Sequence, residues 1–166
     1  MNRIHARLEV DDYLAAQQLH TRWTRRQLGV VAAMLGAGLL LAWASMHERW
    51  AFVVACSLLG GAVGGIVARE VARRFVLPWR SRRVFAQQKS LQRPVEFWWD
   101  DDALHGSNDR GSNSTPWTDY VKWRQSERII LLYLSDAMFQ MVPKRCFDGP
   151  AQLAAFLERV ETIGRA

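Results

Sequence analysis

Chemistry-bearing residues are scarce in this chain. It holds two cysteines, Cys56 and Cys146, and four histidines, His5, His20, His47 and His105. Two cysteines make no disulfide framework, and a reducing compartment suits both as small apolar fillers. No two histidines stand at metal-ligand spacing. There is no His-Glu-x-x-His, no Gly-rich phosphate loop and no nucleophile elbow. Asp100-Asp101-Asp102 carries the charge of a calcium loop, but the glycine and the bidentate glutamate that such a loop needs at fixed offsets are missing. The expectation is a protein with no catalytic residue, no metal and no cofactor; an enzyme with a distributed site is the remaining alternative. Lysine is absent from the first half: residues 1–83 hold 12 Arg and no Lys against five acids, whereas residues 84–166 hold ten basic and eleven acidic residues. The net charge of +6 is therefore not the footprint of a folded nucleic-acid-binding domain, and no nucleic-acid partner is expected.

The excess arginine flanks two uncharged blocks, Leu28–Met46 and Trp50–Ala68, separated by His47-Glu48-Arg49. A helix needs about 20 apolar residues to cross a bilayer core, so each block is long enough. A buried hairpin of a soluble domain would keep a polar stripe, and these blocks have almost none. Arg22, Arg25 and Arg26 precede the first block; Arg69, Arg73, Arg74, Arg80, Arg82 and Arg83 follow the second. By the positive-inside rule both termini are expected in the cytoplasm, with residues 47–49 outside. Arg73, Arg74, Arg82 and Arg83 are expected to meet lipid headgroups, and Trp23, Trp43 and Trp50 to sit at interfaces. Gly60, Gly61, Gly64 and Gly65, with Ala32 and Gly36, form small-residue patterns expected to pack helices closely, within the hairpin or between copies.

The remaining chain divides by pattern. Residues 1–27 comprise a strand over 3–10, where Ile4, Ala6, Leu8 and Val10 alternate with polar residues, and a helix from Tyr13 to Gln27 that leads into the first block. The strand has no local partner and is expected to pair within 94–142. Residues 69–92 read as a basic linker in which Pro78 ends the second helix. Residues 93–166 read as short, mostly antiparallel strands near 95–99, 103–107, 129–134 and 137–142, with a polar loop over 108–116. Asp148-Gly149-Pro150 then opens an amphipathic helix. The fold class is thus an α+β membrane protein: a two-helix transmembrane hairpin and a cytoplasmic antiparallel sheet capped by a C-terminal helix.

Trp117, the strand containing Leu132-Tyr133, and Val142-Pro143-Lys144-Arg145-Cys146-Phe147 ahead of the last helix carry a resemblance. In these motifs and in its layout the chain resembles the bacterial YcxB-like membrane proteins. The resemblance implies a pleckstrin-homology-like (PH-like) cytoplasmic domain in which Trp117, Tyr133, Pro143 and Phe147 are structural anchors. It supplies no activity. Lys144 and Arg145 are expected either as a solvated sheet edge or as a fixed cation pair that meets anionic lipid or an acidic partner. The functional expectation is a small membrane protein with a non-catalytic recognition or scaffold domain. Its expected partners are membrane lipids and a membrane or cytosolic protein, with self-association also open. The alternative is a regulatory or immunity-like subunit that acts through its glycine-rich span.

Overall fold

The computed structural model describes residues 2–44 and 49–163. The expected outer loop at His47 and Glu48 lies outside these residues. Two units are present. One combines residues 1–20 with 79–166; the other is residues 21–78. The first is therefore assembled from both ends of the chain.

In that unit β1 (Asn2–Arg7), β2 (Pro94–Trp99), β3 (Ala103–Asn108) and β4 (Gly111–Pro116) form an antiparallel sheet in that order. The N-terminal strand pairs with β2, Asn2 opposite Trp99 and Arg7 opposite Pro94. Its alternation places Ile4 and Ala6 in the interior and leaves Arg3, His5 and Arg7 exposed. A second sheet holds β5 (Lys122–Gln125), β6 (Ile129–Tyr133) and β7 (Phe139–Pro143), with β6 in the middle. All five residues of β6 are buried, because both of its faces are covered. Ile130 and Leu132 join Ile4, Trp99, Leu104, Trp117 and Val142 in the main core, with Phe156 and Val160 of α5 (Pro150–Val160). Ile129, Leu131 and Tyr133 face the other way, onto Ala16 and Leu19 of α1 (Val10–His20). An uninterrupted apolar run is what a strand covered on both faces requires.

The strand expected over 3–10 stops at Arg7, because the Asp12 carboxylate accepts the Glu9 N–H and α1 opens at Val10; three further expectations need correction. The helix from Tyr13 does not run into the first apolar block: α1 ends at His20, and α2 (Arg25–Ala44) begins afresh. Thr24 and Gln27 form a reciprocal capping box, in which the Gln27 N–H donates to Thr24 Oγ1 at 3.3 Å and the Thr24 N–H donates to Gln27 Oε1 at 3.2 Å. This local motif starts a new helix and frees α1 to lie on β6. Second, residues 69–92 are not a linker that breaks at Pro78. After α3 (Arg49–Val71) a π-helical turn spans Ala72–Val76, and α4 (Leu77–Gln87) follows. A proline disrupts the hydrogen bond to the carbonyl four residues back, which here is Arg74; inside the π-turn that carbonyl is already out of the α-pattern. Third, the polar loop over 108–116 is a hairpin. Asp109-Arg110 is its tip, and Gly111, at φ +157°, opens β4.

The second unit contains α2 and α3, both long and apolar enough to cross a membrane. Only 6% of the apolar window of the first helix and 11% of that of the second is buried, whereas the core helix of a soluble domain would be mostly covered. Among the described residues of these two helices, Gly38, Ala55 and Ala62 are buried. A methyl group on Gly38 would lie 2.8 Å from Leu59 Cγ, so close helix contact occurs there. Gly36, Gly60, Gly61, Gly64 and Gly65 have nothing within 4 Å of the corresponding position, and Ala32 is exposed. Within the hairpin, then, the glycine pairs expected to make the contact do not make it. The helix faces meet one step away, at Gly38 against Ala55 and Leu59.

Candidate functional site

The Pro143–Phe147 segment is where the expected contact residues converge. β7 ends at Pro143, a short 3₁₀ turn covers Lys144–Cys146, and Phe147 returns to the core. Pro143 is fully buried, and its nitrogen, which has no N–H, stands at a position facing away from β6, while the next N–H, of Lys144, donates to Arg128 O at 2.9 Å. Phe147 is half-buried, with its ring centroid 5.3 Å from Phe156 and 6.0 Å from Trp99. Trp117 and Tyr133 are buried, and the Trp117 indole donates to Asp100 O at 3.0 Å.

Lys144 and Arg145 do not act as one exposed pair. Lys144 is half-buried. Its ammonium donates to Gln125 Oε1 at 2.7 Å, and burial pulls its pKa below the usual lysine value. Arg145 points inward along the start of the chain. Its guanidinium donates to Asp12 Oδ2 and to Arg7 O, both at 2.6 Å, and lies 3.2 Å from Glu9 Oε1. Asp12 is only 2% exposed. It also accepts the Glu9 N–H at 3.0 Å, an acid in the first turn of α1 reaching back to the residue before the helix. The hydrogen bond that Arg145 donates to the Asp12 carboxylate raises the Arg145 pKa above the usual arginine value. Beside it burial pushes the Cys146 thiol up. Arg145 is thus a clasp that joins residues 7–12 to residue 145, and its charge is already engaged within the fold. Neither a solvated edge nor an exposed cation pair describes Arg145, because Asp12, whose sequence signal is its place near a helix start, takes up its charge.

The other expected cations stand elsewhere. Arg82 and Arg83 are exposed on α4, together with Arg80. Arg83 lies 5.6 Å from the ring centroid of Trp79, which is 63% exposed, while Ser81 and Phe85 turn inward and Phe85 packs near Tyr13. Arg73 and Arg74 are exposed in the π-turn. Arg80, Arg82 and Arg83 thus belong to α4, and Lys144 and Arg145 to the turn after β7.

Two polar clusters that the sequence did not single out complete the surface. His20 stacks on Tyr133 at 5.8 Å, and burial lowers its pKa below 6.5, followed in effect by the charges of Arg124 and Lys122. Lys122 pairs with Asp136, whose carboxyl is held below its usual range by that hydrogen bond. On the first sheet Arg3 lies over Trp98, Trp98 stacks on His105 at 5.2 Å, and His105 Nε2 meets Asp100 Oδ2 at 2.8 Å. Bonds from the Ala103 N–H and then from His105 bring the Asp100 pKa to about 2. These partners satisfy one another as local cross-strand and turn interactions. Among the described residues no three His, Cys, Asp or Glu side chains are placed to hold a metal ion.

Fold and clasp together define an α+β protein with two antiparallel sheets whose domain is closed by its own N-terminal strand, and with two helices of membrane-spanning length between the parts of that domain. Residues 99–158 match the family described as YcxB-like protein. The match runs from the last residue of β2 into α5 and so contains β3 to β7 and the Pro143–Phe147 segment. It is the family that the motifs at 117–147 resemble. No curated protein and no solved structure matches the chain.

Proposed function

We propose that this is a small integral membrane protein in which α2 and α3 span the bacterial inner membrane as a hairpin and the split domain serves as a non-catalytic recognition or scaffold module on the cytoplasmic side. The observation that carries this reading is the exposure of the two apolar helices. Leu39, Leu40, Trp43 and Phe52 are all more than half exposed, which is costly in water and favourable in lipid. Sheets of four and three antiparallel strands with a C-terminal helix support the PH-like reading of the domain. The mixture of Trp79 with Arg80, Arg82 and Arg83 supports contact with anionic headgroups, since indoles favour the interface and each arginine adds about 1 kcal/mol of attraction near such a surface.

Reporter fusions test the topology. A reporter after Ala166 is expected in the cytoplasm, and one inserted at 47–49 outside. Changing Arg69, Arg73, Arg74, Arg80, Arg82 and Arg83 to Gln is expected to invert part of the population, because it removes the charge asymmetry. An external C-terminal reporter in the wild type would sink the reading.

A second reading, a regulatory subunit that binds a partner helix within the bilayer, draws on the open space around Gly60, Gly61, Gly64 and Gly65. Co-purification in mild detergent separates the two. Loss of a bound protein on deletion of residues 94–163 favours the recognition domain. Loss only when the four glycines become Leu favours the span.

A further inference from the structure

Each sheet has two outer strands. On β1, Gln152 donates to Arg3 O at 3.0 Å and Arg145 to Arg7 O at 2.6 Å, so side chains cover the outward carbonyls. β5 carries Lys122 and Arg124, and β7 closes on Pro143; charge and proline are the usual means of blocking an edge. β4 also closes on a proline, Pro116, but it carries no charged side chain, and among the described residues no side chain covers its outward groups at Ser112 and Ser114. Its sequence, Gly-Ser-Asn-Ser-Thr-Pro, is uncharged, and every residue except Thr115 is exposed. Its one strand neighbour is β3, and among the described residues no group outside β3 bonds its backbone. Counting from the closing pair of the hairpin, Asn108 opposite Gly111, the antiparallel ladder turns N–H and C=O of Ser112 and Ser114 away from β3.

The two ends of this edge differ in charge. At the hairpin tip Asp109 pairs with Arg93, which leaves Arg110 exposed with no ion-pair partner among the described residues. At the other end the Trp117 N–H donates to Asp102 O at 3.1 Å, which brings Asp102 beside the exit of β4, and Asp119 follows in the next turn. Both acids are exposed and without ion pairs among the described residues.

We propose that β4 is a self-association edge, on which a second copy of this chain pairs its own β4 antiparallel about a two-fold axis at Asn113. An isologous contact needs a surface complementary to itself, and an uncharged edge that is basic at one end and acidic at the other meets that need only in the antiparallel sense. In this register Ser112 of each copy faces Ser114 of the other, and each such pair exchanges both backbone bonds. Arg110 lies opposite the partner copy's Pro116, beside its acidic turn. Pro116 lacks an N–H, so its outward position opposite Arg110 goes without a donor and the ladder rests on the two Ser112–Ser114 pairs.

The test uses the full chain in mild detergent, with mass measured by light scattering after size exclusion. Wild type is expected as two copies per particle. Ser114→Pro removes an outward donor from each copy, a change an edge strand tolerates. It is expected to weaken the dimer by about tenfold or more with an unchanged thermal melt. Should that variant fold poorly, Asn113→Cys in a Cys56→Ser, Cys146→Ser background is expected to cross-link to itself on oxidation well above an exposed Glu127→Cys control, since side chains at such a non-bonded pair lie about 4.5–5.5 Å apart at Cβ. A monomeric wild type would overturn the proposal. So would cross-linking no better than the control, or a dimer that survives Ser114→Pro and is lost when Gly60 and Gly64 become Leu.

Discussion

Phe156→Ala is expected to destabilise the split domain by about 3–5 kcal/mol, the range for a fully buried aromatic truncated to a methyl. Phe156 has no exposed surface. Its ring meets Trp99 edge-on at 4.9 Å, and Trp117 and Phe147 lie at 6.2 and 5.3 Å. These partners come from β2, the turn before β5 and the segment after β7, so one cavity would loosen both sheets and α5 together. A domain is stable by only about 5–15 kcal/mol, so the loss is a large share of the total. The measurement is denaturant unfolding in mild detergent followed by tryptophan fluorescence, since Trp99 and Trp117 border the cavity. Phe156→Leu should recover more than half of the loss. Phe147→Ala should cost less than Phe156→Ala, because Phe147 is only half-buried. Equal costs for Phe147→Ala and Phe156→Ala would show that the helix does not organise this core.

The parts of this fold that announce themselves in the sequence are those whose burial follows a single period. Residues 129–133 form a short unbroken apolar run, and a strand covered on both faces is its physical cause. Ile4 and Ala6 alternate with polar residues because one face of β1 is buried. Gly149-Pro150 marks the start of α5 for the local reason that proline suits a first helical turn.

What stayed hidden falls into two kinds. β4 is made of small polar residues whose only inward side chain near the core is Thr115, so no apolar period exists to be read, and pairing with β3 alone makes it a strand. Gly38 stands among many glycines, and nothing in its neighbours says that Leu59 will lie against it. The clasp is of the second kind. Asp12 and Arg145 are 133 residues apart, with both apolar helices between them. Lys144 and Arg145 look alike as neighbours, yet one meets a surface glutamine and the other a buried carboxylate. Adjacent residues leaving a strand point in opposite directions, and that difference appears only once β1 and α1 are in place.

That asymmetry makes the clasp the second large effect. Arg145→Gln is expected to cost about 2–4 kcal/mol, somewhat below the figure for a wholly buried pair, because Arg145 itself is 42% exposed at its side chain. The cost arises at Asp12: its carboxylate, 2% exposed, keeps the Glu9 N–H but loses the cation that offsets its desolvation. Asp12→Asn should cost less. The amide oxygen can still accept the Glu9 N–H, and the released guanidinium can turn to water while keeping Arg7 O. The double variant should be more stable than the sum of the two single losses predicts, by about 1–3 kcal/mol, since removing both charges leaves neither one buried alone. Protection of the β1 amides in hydrogen exchange should fall in Arg145→Gln before that of β6, because the clasp holds Arg7 O while β6 is secured on both faces. Additive single losses, or a larger cost for Asp12→Asn than for Arg145→Gln, would mean that Arg145 stands at the junction without holding it, and would return its charge to the surface as a free contact.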